Sequence, residues 1–151
     1  MSAAIKSDYS NGQSALAFLE DGTGFAHYPN GHVSVCVAKS TPYQNSHFAY
    51  DNDRHNTLLL GLDYLGIGHV QTSASSEDKD VKSLTLTEKG ALYTERGKIV
   101  GEWSWAHQTY QPETPIVINV NDHLTFTYVN RSSMTLQYEY ESFKRTILPR
   151  S

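Results

Sequence analysis

The sequence predicts an all-β protein: an antiparallel meander or hairpin array forming a sandwich or open barrel, with very little helix. Three observations carry this. Apolar and polar residues alternate with period two in almost every apolar run, the spacing of half-buried strands. Between the runs stand Asp, Asn and Gly, residues that accept tight-turn geometry. No window of roughly twelve residues or more sustains a 3.6-residue period, so a helix of ordinary length has no face to bury.

Taken in order, Ala15 to Leu19 is a short apolar run, followed by Asp21-Gly22-Thr23-Gly24 and a strand from Phe25 to Tyr28. The next segment, Pro29-Asn30-Gly31, predicts a type I′ hairpin turn, because an Asn-Gly pair tolerates positive φ at both central positions. Val33, Val35 and Val37 then alternate with Ser34 and Cys36. Leu58 to Leu62 leads into Asp63-Tyr64-Leu65-Gly66-Ile67-Gly68, a strand entering a glycine-rich turn. Leu84 to Leu86, a turn at Lys89-Gly90, Ala91 to Thr94, a turn at Arg96-Gly97 and Ile99 to Trp105 continue the series. The C-terminal part alternates most regularly: Ile116, Ile118, Val120; then Leu124, Phe126, Tyr128; then Met134, Leu136, Tyr138, Tyr140. Asn121-Asp122 and Asn130-Arg131-Ser132-Ser133 separate these three strands, and the alternation extends toward Phe143, Arg145 and Ile147.

These elements predict one β domain over 15–148, an N-terminal arm over 1–14 and a tail over 149–151. Polar stretches near 39–56 and 73–80 are expected as mobile loops. A chain of 151 residues buries a core without staples, and its single cysteine, Cys36, excludes an intramolecular disulfide. With a net charge of −4 and lysines scattered at 39, 79, 82, 89, 98 and 144, no nucleic-acid partner is expected. No run approaches the ~18–20 apolar residues of a membrane span, and no signal-like apolar segment follows Met1, so a cytoplasmic location is expected. Asn130-Arg131-Ser132 matches a glycosylation sequon but reads as hairpin-turn chemistry.

At this point the motifs carry a resemblance. Asp21-Gly22-Thr23-Gly24, then Tyr28-Pro29-Asn30-Gly31 and a valine-rich strand, resembles the opening of the C-terminal domain of the glutamate-rich protein six family. The stretch Leu60 to Gly68 is similar to that domain's strand and glycine-rich turn, and Gly97 to Trp105 resembles its segment ending in two tryptophans. Pro115, Ile116 and Asn121 fall where it has a strand-rich stretch, so the resemblance spans roughly Leu16 to Ile147. It implies a non-enzymatic domain from proteins of cilia, flagella or sperm, with an axonemal or cytoskeletal protein partner and a location in the cytoplasm, cilium or flagellum. Members of that family carry long acidic N-terminal regions, whereas this chain begins about fifteen residues before the domain; if it is a natural full-length product, a stand-alone version is expected.

Candidate chemistry is sparse. His27 and His32 straddle a turn, but spacing suggests no third ligand, and zinc needs three or four. Asp51-Asn52-Asp53 lacks the glycine and distal glutamate of a calcium loop. Cys36 alternates with valines and reads as a packed residue, not an activated thiolate. No Gly-x-Ser-x-Gly elbow is present, and Asp21-Gly22-Thr23-Gly24 lacks the Lys-Ser/Thr and helix of a phosphate loop. Its glycines, with Pro29, Asn30, Gly31, Gly66, Gly68 and Gly97, are expected to shape turns. No catalytic residue, metal or cofactor is assigned.

Two readings of function follow. The first is a structural or protein-interaction module, offering strand edges and aromatic faces to an extended partner. The second is a small-molecule or carbohydrate binder, with Trp103, Trp105 and Tyr110 lining a groove beside the carboxylate of Glu102. Alternation favours the first: it places Trp103 and Trp105 on one core-directed face with Ile99, and Glu102 opposite with Val100 and Ser104. An enzyme ranks behind both.

Overall fold

In a computed structural model, described over residues 3–74, 81–105 and 114–150, the protein is a pair of antiparallel sheets. The long sheet contains β1 (Ala3–Asp8), β2 (Ser14–Leu19), β3 (Gly24–His27), β4 (Val33–Thr41), β5 (Gln44–Tyr50), β6 (Leu58–Leu62), β7 (Gly68–Gln71), β8 (Lys82–Leu86), β9 (Gly90–Glu95) and β10 (Lys98–Ser104). The short sheet contains β11 (Ile116–Asn121), β12 (Leu124–Asn130), β13 (Ser133–Tyr140) and β14 (Phe143–Arg150). In both, spatial order follows chain order. The result is a meander with no crossover.

Register explains why these sequences pair. One row across the long sheet joins Leu16, Ala26, Val35, Ala49, Leu60, Val70, Leu84 and Tyr93, and all of them are buried. The next inward row joins Phe18, Gly24, Val37, His47, Leu62, Gly68, Leu86, Ala91 and finally Trp103. The row between them points outward: Ala17, Phe25, Cys36, Phe48, Gly61, His69, Thr85, Leu92 and Glu102. The short sheet covers the inward rows with Ile118, Val120, Leu124, Phe126, Tyr128, Met134, Leu136 and Tyr138. Its outer strands lie over the middle of the long sheet: β14 neighbours β2 and β5, and β11 neighbours β7.

Turn chemistry repeats. At Tyr9–Gln13, Leu19–Thr23, Tyr28–His32 and Asp63–Ile67, the first N–H donates to the fifth carbonyl and the fourth N–H to the first carbonyl, at 2.8–3.0 Å. The fourth residue is Gly12, Gly22, Gly31 or Gly66, always with positive φ. In the first three turns the third residue, Asn11, Asp21 or Asn30, accepts the fifth N–H on its side-chain oxygen at 2.9–3.1 Å. Thr23's hydroxyl and N–H, with Lys39 at 3.1 Å, hold the Asp21 carboxyl down at about 2.

Several expectations are corrected. Pro29-Asn30-Gly31 is not a type I′ turn: only Gly31 has positive φ, and the extra residue is absorbed by a register shift between Ala26 and His27. The turn with two positive φ values is Arg96-Gly97, at 54° and 77°. The expected arm over 1–14 contains β1, which pairs with β2 and packs Ile5 against the core. The expected loop over 39–56 contains β5, whose polar sequence masks two buried inward residues, His47 and Ala49. Within the expected loop over 73–80, Ser73 is buried and donates its N–H to the Val120 carbonyl, while 75–80 lie outside the described residues. β14 reaches Arg150, into the expected tail.

Two glycines separate backbone need from packing. A Cβ on Gly24 (φ 148°) would sit 2.1 Å from the Ala17 carbonyl oxygen, whereas one on Gly61 would meet Phe48 and Leu58 atoms at 3.7–3.9 Å. Gly24→Ala is therefore expected to cost roughly 2–4 kcal/mol. Gly61→Ala, freed of strand-glycine entropy, is expected to gain up to about 1 kcal/mol. Urea midpoints of the two variants check both signs.

Candidate functional site

Among the described residues no three His, Cys, Asp or Glu side chains gather as a metal would require. A cluster of hydrogen-bonded polar side chains lies between the sheets. The Tyr9 hydroxyl donates to the His27 carbonyl at 2.7 Å, and the Tyr138 hydroxyl reaches the same carbonyl at 3.1 Å, with the two hydroxyls 2.6 Å apart. Nearby, the Tyr28 hydroxyl donates to the Tyr50 carbonyl at 2.7 Å. Asn121 of the short sheet donates to the Tyr28 hydroxyl and to Asp51, and Asp51 also accepts from the Ser73 hydroxyl. Burial raises the phenol pKa of Tyr9, Tyr28 and Tyr138 above the ordinary tyrosine range. Such hydroxyls keep their protons at neutral pH and are committed to carbonyls and to one another, so the cluster clasps the sheets together and is not poised for acid–base chemistry.

The surface feature with binding character lies at the other end of the long sheet. Trp103 ends the second inward row beyond the strands that the short sheet's edges adjoin, and it is only partly buried. Its ring lies against Gly101, where an added Cβ would come within 2.7 Å of it. Between β10 and β11 this leaves a cleft of about 410 Å³ lined by Lys82, Tyr93, Glu95, Val100, Gly101, Trp103, Ile116 and Val117, among others. Val100 is 58% exposed and Val117 41%. The Tyr93 hydroxyl donates to Glu95 at 2.8 Å, and the Lys82 ammonium donates to the Val117 carbonyl at 3.1 Å. Burial, with Glu95 adding to it, raises the Tyr93 phenol pKa.

Of the residues singled out from sequence, Trp103 lines this cleft. Trp105 does not: its indole N–H donates to the Thr87 carbonyl at 2.9 Å, and the Arg131 guanidinium lies 5.2 Å from its ring centre. Glu102 points to the outward face beside Leu92, away from Tyr93 and Gly101. Tyr110 lies outside the described residues. Ile99 does not share the tryptophans' face, because a bulge between Ile99 and Gly101 inserts one residue and inverts the alternation, leaving Ile99 65% exposed. Sequence reading missed Lys82, Tyr93, Val100, Gly101 and Val117. The available signal was Gly101 two residues before Trp103, a missing side chain on the ring's own face.

A model of the FAM194 protein family matches residues 2–147. The chain belongs to the FAM194 family. This corrects the resemblance to the glutamate-rich protein six family: the match over nearly the whole chain is to FAM194. The motifs behind that resemblance are turns and strand ends in this fold. The ciliary, flagellar and axonemal expectations rested on it alone. No solved structure matches the chain.

One buried base gives a measurable handle. His47 sits in the second inward row between Val37 and Leu62, is 5% exposed, and has no hydrogen-bond partner for Nδ1. Burial lowers its pKa to about 4. The unfolded imidazole titrates near 6.5, so between about 6.5 and 4 the unfolded chain binds a proton that the folded chain refuses. Stability is thus expected to be complete above that window and to fall as pH drops through it, by up to about 1.4 kcal/mol per pH unit. Urea unfolding across this range checks the slope, which His47→Leu should flatten.

Proposed function

We propose that this domain is a non-enzymatic protein-interaction module that takes an apolar side chain of a partner into the cleft beside Trp103. The observation that carries the reading is a partly exposed tryptophan at the end of a core row, with Val100 and Val117 exposed at its rim. Binding energy at protein interfaces concentrates in aromatic anchors that become fully desolvated in the complex. β10 is also an edge strand of the long sheet, and beyond its bulge Glu102 to Ser104 pair regularly with β9. A short extended segment of a partner could be received along that stretch. The volume of the cleft favours one second reading, a small apolar ligand, since ligand sites commonly enclose ~300–1,000 Å³.

Selection of displayed random peptides against the folded domain tests the first reading. Enriched peptides are expected to lose at least about tenfold in affinity, a 1.4 kcal/mol effect, with Trp103→Ala and with Val100→Asp. Phe25→Ala on the outward face should leave them unchanged. Val100 is exposed, so its substitution separates lost contact from lost fold. Peptides indifferent to both cleft variants would overturn the reading. A Trp103-dependent fluorescence change with a metabolite panel, without any cleft-dependent peptide, would favour the second.

A further inference from the structure

The Asn-Gly pairs at Asn11-Gly12 and Asn30-Gly31 are unused by the cleft. Chemically, Asn-Gly is the peptide bond most open to deamidation, because glycine leaves its nitrogen unhindered. The backbone N of the glycine attacks the asparagine Cγ, a C–N bond closes a succinimide ring, and the side-chain nitrogen leaves as ammonia. Water then opens the ring to aspartate or isoaspartate. The reaction needs no reagent but water.

In this fold the attack is held off at three atoms. The nitrogens of Gly12 and Gly31 each donate to a carbonyl, Tyr9 and Tyr28 respectively, at 2.9 Å. The side-chain oxygens of Asn11 and Asn30 are drawn away from the glycine nitrogen toward the next residue, accepting from the N–H of Gln13 at 2.9 Å and of His32 at 3.1 Å. The side-chain nitrogens are tied to neighbouring turns, Asn11 to the Pro29 carbonyl at 2.9 Å and Asn30 to the Asn52 side-chain oxygen at 2.9 Å. An attack geometry requires the reacting atoms to be aligned and close, and each of these bonds opposes it.

We infer that Asn11 and Asn30 are latent deamidation sites, protected by the stitched turns and released when a turn opens. Conversion at Asn30 replaces a donor to Asn52 with a carboxylate, and the isoaspartate product adds a backbone methylene inside a turn that has no room in its hydrogen-bond pattern. The modification therefore records opening events and then makes the next ones easier. The outcome depends on the turn, not on exposure alone, since both side chains are exposed.

Peptide mapping by mass spectrometry during incubation at mildly alkaline pH tests this, on the folded protein and on the same protein in urea. Deamidation at both sites is expected to be at least about tenfold slower in the folded protein, the factor set by an opening equilibrium. Asn52→Ala, which removes only the acceptor for Asn30, should speed Asn30 several-fold and leave Asn11 unchanged. Equal rates in the folded and unfolded protein, or an Asn30 rate indifferent to Asn52→Ala, would overturn the inference. Asn52 is exposed, and circular dichroism of the variant confirms that the comparison is between folded proteins.

Discussion

The governing constraint is cover. Ten strands paired side by side present two inward apolar rows that must leave water, and the short sheet is what removes them. At about 4.8 Å per strand the long sheet is roughly 43 Å wide. The short sheet, four strands across, is only about 14 Å wide, so it spans a fraction of that width. Its edge strands lie against β2, β5 and β7. Toward β10 the rows outlast their cover, and a large aromatic ring, Trp103, closes the end in part. The cleft is thus a by-product of unequal sheets, at a place where one indole serves both core and surface.

The same mismatch accounts for the polar clasp. Two sheets of different size can slide, and a purely apolar contact resists sliding weakly because it has no direction. Hydrogen bonds between Tyr9 and Tyr138, from Tyr138 to the His27 carbonyl, and from Asn121 to Tyr28 and Asp51 fix the relative position of the layers. Edge-to-face ring contacts of Tyr28 with Tyr138 and of Tyr9 with Phe143 add apolar area at the same seam. Each hydroxyl ends on a carbonyl or on another hydroxyl, so the polar groups are satisfied without water having to reach them.

Strand existence was legible because burial on one face writes itself as alternation; Leu124, Phe126, Tyr128 and Met134, Leu136, Tyr138 read correctly for that reason. Where the inward residues are His47 and Ala49, the alternation is hidden and the sequence of β5 reads as loop. The turn type at Asn30-Gly31 is not legible in the dipeptide, which serves two kinds of hairpin that only the number of residues between paired strands distinguishes. At the cleft, Trp103 was readable as an aromatic of interest, but the bulge beside it was not, since one inserted residue leaves no compositional mark. Val100, Val117 and Lys82 come together only through tertiary packing between sheets.

Because strands of the long sheet pair only with their neighbours in chain order, the ladder is modular in length. A whole hairpin added to or dropped from the series would leave the remaining ladders threaded as before, with no strand needing to be inserted between existing neighbours. The long sheet is in that sense a ruler whose reach can change by pairs, while the compact cap above it stays the same size.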